Sequence, residues 1–189
     1  MVEEVLCTGS SDARPHLATF AEMLCDLFRD PPFNFDWRYG DHDDPSSALG
    51  FLSLLESEGA TFWHIPGEDG AIASFAFGIV LTQRIIEALG LANFEGTTHP
   101  QVGDYYCAGA ATAKPYRKRG YFSHLAERRL DDARAKGCRR VWVRTHTQCG
   151  IVRHTYGDNR GFEIAGTYTA NQGSGTMTSV MMYRDLVEC

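Results

Sequence analysis

Arg117-Lys118-Arg119-Gly120-Tyr121-Phe122 is the stretch whose reading decides the fold. It joins an apolar strand-like segment, Asp104 to Ala113, to a segment of helical periodicity running from about Lys118 to Lys136. In that helix Phe122, Leu125, Ala126, Leu130 and Ala133 form a buried stripe, while Arg128, Arg129, Asp131, Asp132 and Arg134 are expected to face water. Gly137 is placed as its C′ residue, with Lys136 near the negative end of the dipole. A helix start leaves backbone N–H groups unpaired and carries the positive end of the macrodipole. Three cations beside such a start make an anion site, suited to a phosphate-bearing ligand of nucleotide type. The spacing does not fit a P-loop, because Gly-x4-Gly-Lys-Ser/Thr is absent, and no Rossmann fingerprint is present.

Outward from this turn the chain alternates strands and helices. Towards the N-terminus, Val5 to Thr8 reads as a short strand, and Ser10-Ser11-Asp12 supply N-caps for a helix with Leu17, Phe20, Leu24, Leu27 and Phe28 on one face. Pro31-Pro32 stop that helix. A polar-aromatic loop, Asn34 to Pro45, precedes a second helix over Ser46 to Ser57, with Leu49, Leu52 and Leu55 aligned. Thr61 to Ile65 and Ala71 to Leu81 read as a hairpin around Pro66-Gly67-Glu68-Asp69-Gly70. The stretch Thr82 to Gly103 is an insertion with a short helical piece, Ile85 to Leu89. After the long helix come a strand at Arg140 to Thr145, a short helix at Ile151 to Tyr156, and closing strands at Phe162 to Thr169 and Met177 to Tyr183. This is mixed α/β order with a central strand–helix–strand crossover, in one domain spanning 1–189.

Composition narrows the function classes. With 43% hydrophobic and 22% charged residues the chain can bury a core. The net charge of -6 argues against general nucleic-acid or anionic-membrane binding and favours a small or cationic substrate. No apolar run reaches the about 20 residues of a bilayer span, and Met1 to Val5 lacks the basic and apolar regions of a signal peptide, so cytoplasmic residence is expected. The six cysteines form no C-x-x-C pair; free thiols are expected, and no metal.

The turn and the order of elements around it resemble the GNAT superfamily of acyl-CoA-dependent N-acetyltransferases. The family signature, Arg/Gln-x-x-Gly-x-Gly/Ala between strand and helix, is matched by Arg117 to Phe122, with Phe122 in place of the last small residue. Helix, Lys136-Gly137-Cys138, the strand around Val141-Trp142-Val143 and Gly161-Phe162 follow the family order. The resemblance implies a mixed, mostly antiparallel central sheet flanked by helices and splayed at the cofactor site. It implies acetyl-CoA as acyl donor, with its pyrophosphate on the N–H groups of Lys118, Arg119, Gly120, Tyr121 and Phe122 and charge from Arg117 and Arg119. By the same analogy Ala111, Thr112 and Ala113 line the pantetheine arm.

The resemblance also implies a tyrosine acid on the short helix before Gly-Phe. Tyr156 is the candidate, although it stands five residues before Gly161, one more than the family spacing, with Gly157 at the usual position. Either a local bulge corrects this or the acid is absent. For the base, the family's fourth-strand carboxylate maps to Asp104, with Glu95 behind it, and His146 could act near neutral pH. The family's asparagine after strand five is missing, with Cys149 or Gly150 there instead. The leading expectation is direct acetyl transfer to a primary amine of a small cationic molecule, drawn by Asp41, His42, Asp43, Asp44 and Glu95. A non-catalytic acyl-CoA binder and a protein or peptide acetyltransferase are the alternatives. The Met-rich strand Met177 to Tyr183, read as an edge, is a candidate homodimer surface or equally a core-facing strand.

Overall fold

In the computed structural model the described residues are 5–7, 13–30, 36–44, 46–68, 70–147, 149–150, 154–158, 160–172 and 175–186. The proposed N-caps Ser10 to Asp12, the stop at Pro31-Pro32 and Asn34 lie outside them. The strands are β1 (Val5–Cys7), β2 (Thr61–Pro66), β3 (Ile72–Val80), β4 (Glu95–Gly96), β5 (Tyr105–Thr112), β6 (Arg140–His146), β7 (Glu163–Gln172) and β8 (Gly175–Asp185). The helices are α1 (Leu17–Arg29), α2 (Ala48–Ser57), α3 (Gln83–Ala88) and α4 (Tyr121–Ala135), with a five-residue π-helix at His154–Asp158. The architecture is the expected mixed α/β type, with mostly antiparallel strands and flanking helices.

The chain falls into two compact units, Met1–Ile79 with Ala108–Arg129, and Val80–Cys107 with Leu130–Cys189. In the first, strand order is β1-β2-β3 followed by the second half of β5. Alternation along β2 sends Phe62 and His64 to one face and Trp63 and Ile65 to the other. The first face is an aromatic core. Phe20 of α1 stacks on Phe75 with centroids 4.4 Å apart, and Phe62 stacks on Phe77 at 5.2 Å. Burying each such ring contributes about 1.5–3 kcal/mol. On the other face Trp63, Ile65, Ala73 and Ala76 pack with Leu125 of α4 and with Tyr116 and Tyr121. Ser47 caps α2 by accepting the Gly50 N–H at 3.0 Å, so the helix starts two residues later than its sequence suggests.

The second unit runs from the first half of β5 to β6, β8, β7 and β4. The β5–β6 pair is parallel and three residues long, Tyr105–Cys107 against Val141–Val143; the expected break in pairing follows there. β8 pairs β6 on one side and β7 on the other, both antiparallel. From Ser179 to Tyr183 it is therefore an interior strand, which corrects the reading of Met177 to Tyr183 as an edge, and Met181 and Met182 are buried. The insertion contributes a two-residue strand, β4, that sequence periodicity could not show.

α4 ends as its sequence dictates. Gly137 has φ 69, its N–H donates to the Arg134 carbonyl, and the Cys138 N–H reaches the Ala133 carbonyl, each at 3.0 Å, which is a Schellman motif. Its buried stripe holds one surprise. Arg129, expected to face water, is 1% exposed, with its guanidinium donating to the Gly109 carbonyl at 3.1 Å and lying over the Phe122 ring. Position 129 lies two turns after Phe122 and one after Leu125, hence on the apolar stripe itself. Among the described residues, no helix is long and apolar enough to cross a membrane.

Candidate active site

The strand end and the basic turn form one continuous piece of the first unit. β5 ends at Thr112, and Ala113 donates to the Ala73 carbonyl at 3.0 Å. The Ser74 hydroxyl donates to the Ala111 carbonyl at 3.0 Å and lies 2.8 Å from the Thr112 hydroxyl. A 3₁₀ turn, Lys114–Tyr116, carries Pro115 as its second residue, where the fixed φ suits a first turn. Arg117 then returns to extended backbone (φ -64, ψ 156).

The next residues explain why α4 begins at Tyr121 and not at Lys118. Lys118 has φ 66 and Gly120 φ 80, both in the left-handed region, which a right-handed helix cannot contain. The first helical turn closes only where the His124 N–H donates to the Gly120 carbonyl at 3.0 Å. The amides ahead of it belong to the helix start, where no carbonyl four residues back is available within the helix. Left-handed residues interleaved with ordinary ones are the backbone pattern of anion-binding concavities. Among the described residues other than its chain neighbours, no atom stands within 4 Å of where a Cβ on residue 120 would sit, so the backbone is open to an incoming group. Those two features fit a phosphate-bearing cofactor.

The cations around the turn are differently engaged. Arg117 donates through Nε to the Thr112 carbonyl at 3.2 Å and through Nη2 to Asp30 at 3.0 Å. Lys114 Nζ reaches the other oxygen of Asp30 at 3.0 Å. The hydrogen bond from Lys114, then that from Arg117, holds the Asp30 carboxyl below the usual carboxylate range. Arg119 lies over the Tyr116 ring at 5.2 Å and forms an ion pair with Glu68 at 3.4 Å. Lys118 is exposed.

The acid–base candidates Asp104, His146 and Tyr156 belong to the second unit. Asp104 Oδ2 accepts from the Trp142 indole at 2.8 Å and from the Gln101 N–H at 3.0 Å, so this carboxylate pins the start of β5 to β6. His146 ends β6 opposite Ser179, and its carbonyl accepts from the Cys149 N–H at 2.9 Å. Tyr156 is 0% exposed, edge-on to Phe162 with centroids 4.9 Å apart. The π-helix His154–Asp158 around it is a one-residue expansion of helical backbone, the local bulge that the Tyr156–Gly161 spacing calls for.

Of the acidic loop, Asp44 is occupied locally. It accepts from the Ser46 N–H and hydroxyl, which hold its carboxyl low, and pairs with Arg38. The His42 Nδ1 meets the Ser53 hydroxyl at 2.7 Å. Asp41, Asp43 and Glu95 are exposed. Sequence reading missed Asp30, whose role depends on a partner 87 residues away. Among the described residues no group of three or more His, Cys, Asp or Glu side chains could hold a metal ion.

The acetyltransferase (GNAT) family model matches residues 16–162. Among solved structures, a protein of Acinetobacter baylyi ADP1 described as an acetyltransferase is 13% identical, with 98% of this chain and 93% of that one covered and a TM-score of 0.69. A Salmonella typhimurium protein described as an acetyltransferase, solved with its cofactor acetyl-CoA, is 12% identical over 99% and 96% of the chains, with a TM-score of 0.66. A ribosomal-protein-alanine N-acetyltransferase from Brucella melitensis is 14% identical over 96% and 99%, with a TM-score of 0.66. These likenesses concern the fold. No curated protein matches the sequence.

Proposed function

The chain belongs to the GNAT acetyltransferase family, and from that membership we propose that it is an N-acetyltransferase moving an acetyl group from acetyl-CoA to a primary amine of a small cationic acceptor. The observation that carries this reading is the open turn before α4, with left-handed Lys118 and Gly120 at a helix start. In it the backbone N–H groups from Lys118 to Phe122 hold the pyrophosphate, and Ala111, Thr112 and Ala113 flank the pantetheine arm. We keep residues 1–189 as one domain, because a single family model runs through residues of both units.

The cofactor supplies an activated acyl group on sulfur. The protein's share is to orient the amine, to take its proton and to return one to the thiolate. The Tyr156 phenol is the proposed proton donor. His146 is the proposed base, since the Asp104 carboxylate is already committed to Trp142 and Gln101. Cytoplasmic residence is part of the proposal, and Cys25, Cys107, Cys138 and Cys149 are buried. Burial pushes the Cys25 and Cys138 thiols up, away from reactive thiolate.

Two variants separate binding from turnover. Gly120→Asp places a carboxylate on the open face of the turn and should weaken CoA binding about tenfold or more by calorimetry, beyond the strain that Gly120→Ala alone introduces. Tyr156→Phe should leave CoA binding near wild type and lower turnover about tenfold or more. Unchanged CoA affinity in Gly120→Asp removes the turn from the cofactor site. A wild-type rate in Tyr156→Phe removes the acid.

A further inference from the structure

Asp30 is the C-cap of α1, and its N–H still donates to the Asp26 carbonyl at 3.3 Å, so the residue is anchored to the helix end. Its carboxylate takes one cation on each oxygen, Lys114 on Oδ1 and Arg117 on Oδ2, both at 3.0 Å. Its side chain is 21% exposed, against 38% for Arg117 and 66% for Lys114. The two cations bracket the 3₁₀ turn Lys114–Tyr116, and Arg117 is bonded a second time, through Nε, to the carbonyl of Thr112. A planar guanidinium held on two edges has little freedom left. The residue immediately after this brace is Lys118, the one non-glycine residue at positive φ among those described. A strained residue of that kind persists only where its surroundings over-determine it.

We propose that Asp30 is a positioning residue for the cofactor turn: acting through Arg117, it holds the backbone from Thr112 to Lys118 in the shape that presents the following amides to phosphate. The proposal rests on the reading that this turn binds the pyrophosphate of CoA. It changes the part played by Arg117, from a charge offered to the ligand to a strut within the protein. Asp30 also brings a negative charge towards an anion site. Its removal therefore has two opposed effects, a gain in local positive potential and a loss of order. The first is a solvent-screened surface effect and is small. The second decides.

The test compares the wild type with Asp30→Asn, Arg117→Gln and the double variant. CoA binding is measured by calorimetry, and turnover is measured with acetyl-CoA and with S-acetylpantetheine, which lacks the phosphates. Each single variant is expected to weaken CoA binding about fivefold, and the double variant no further than the weaker single one, because the two side chains act as a unit. The loss in kcat/KM should be several-fold greater with acetyl-CoA than with S-acetylpantetheine. Unchanged or tighter CoA binding in Asp30→Asn overturns the proposal, as do equal losses with both donors or additive losses in the double variant. A wild-type protein that binds no CoA removes the underlying reading of the turn, a result distinct from any of these.

Discussion

His64 carries a buried imidazole. It is 7% exposed on β2, neither ring nitrogen has a hydrogen-bond partner among the described residues, and it lies against His16, with centroids 4.9 Å apart, and against Phe20. Burial, and then the neighbouring His16, hold its pKa below the ordinary histidine value. A depressed folded pKa means that the unfolded chain binds the proton first, so stability is intact above the unfolded value of about 6.5 and falls as the pH drops from there towards the folded pKa. His64→Leu should abolish that acid-side loss, seen in urea midpoints between about pH 5 and about pH 7.5. It should also stay within about 1 kcal/mol of wild type at the upper pH, because no buried donor is orphaned. A variant that keeps the full acid slope would show that the slope arises elsewhere. The placement of His64 is legible in hindsight from strand alternation, since Phe62 two residues earlier marks the buried face. Arg129 was equally legible from its distance to Phe122 and Leu125, but charge outweighed periodicity in the reading. Asp30 was not legible, because a side chain that matters through Lys114 and Arg117 leaves no local pattern.

α4 shows where local rules suffice and where they fail. Its C-terminus followed from Gly137 alone, because a left-handed C′ position strongly favours glycine and the Schellman bonds then satisfy the last carbonyls. Gly137→Ala should therefore destabilise the protein by about 1 kcal/mol in chemical denaturation, the left-handed penalty for a Cβ. No atom lies within 4 Å of the added methyl, so no steric clash enlarges the effect. An unchanged midpoint would mean that the helix end rearranges freely. Its N-terminus was misplaced by three residues because a basic run is helix-compatible in propensity. Only the tertiary setting of Lys118 and Gly120 in the left-handed region forbids the helix there. The same contrast governs the last strands. The Met-rich segment after the glycine loop reads as a strand, but its place between β6 and β7 is a matter of pairing order, which periodicity does not encode. The π-helix at His154–Asp158 lies between these cases: the one-residue spacing excess leaves a bulge as one of two alternatives, and propensity does not distinguish them.

At the scale of the whole molecule, element order was enough for the fold, since a strand, a basic turn and a long helix followed by strand and hairpin leave few arrangements. The proposed donor rests on that order together with the resemblance of one turn, Arg117 to Phe122, to the family signature. The acceptor class was not legible, because no sequence pattern marks the side chains that would recognise it; Asp44 is occupied within its own loop, and His42 meets Ser53 of α2. What remains is the charge of the whole chain. A net charge of -6 attracts a cationic acceptor over distances comparable to the Debye length, which falls from about 20 Å at low salt to about 6 Å near 0.3 M. In a thiol-release assay at saturating acetyl-CoA, kcat/KM for a polyamine-type acceptor should then fall several-fold across that range. An arylamine of similar size, uncharged at the assay pH, should change far less, because its encounter owes nothing to the field. Equal slopes for both, or acceleration only by peptides with a free N-terminus, would move the acceptor out of the small-cation class while leaving the turn before α4 as the donor site.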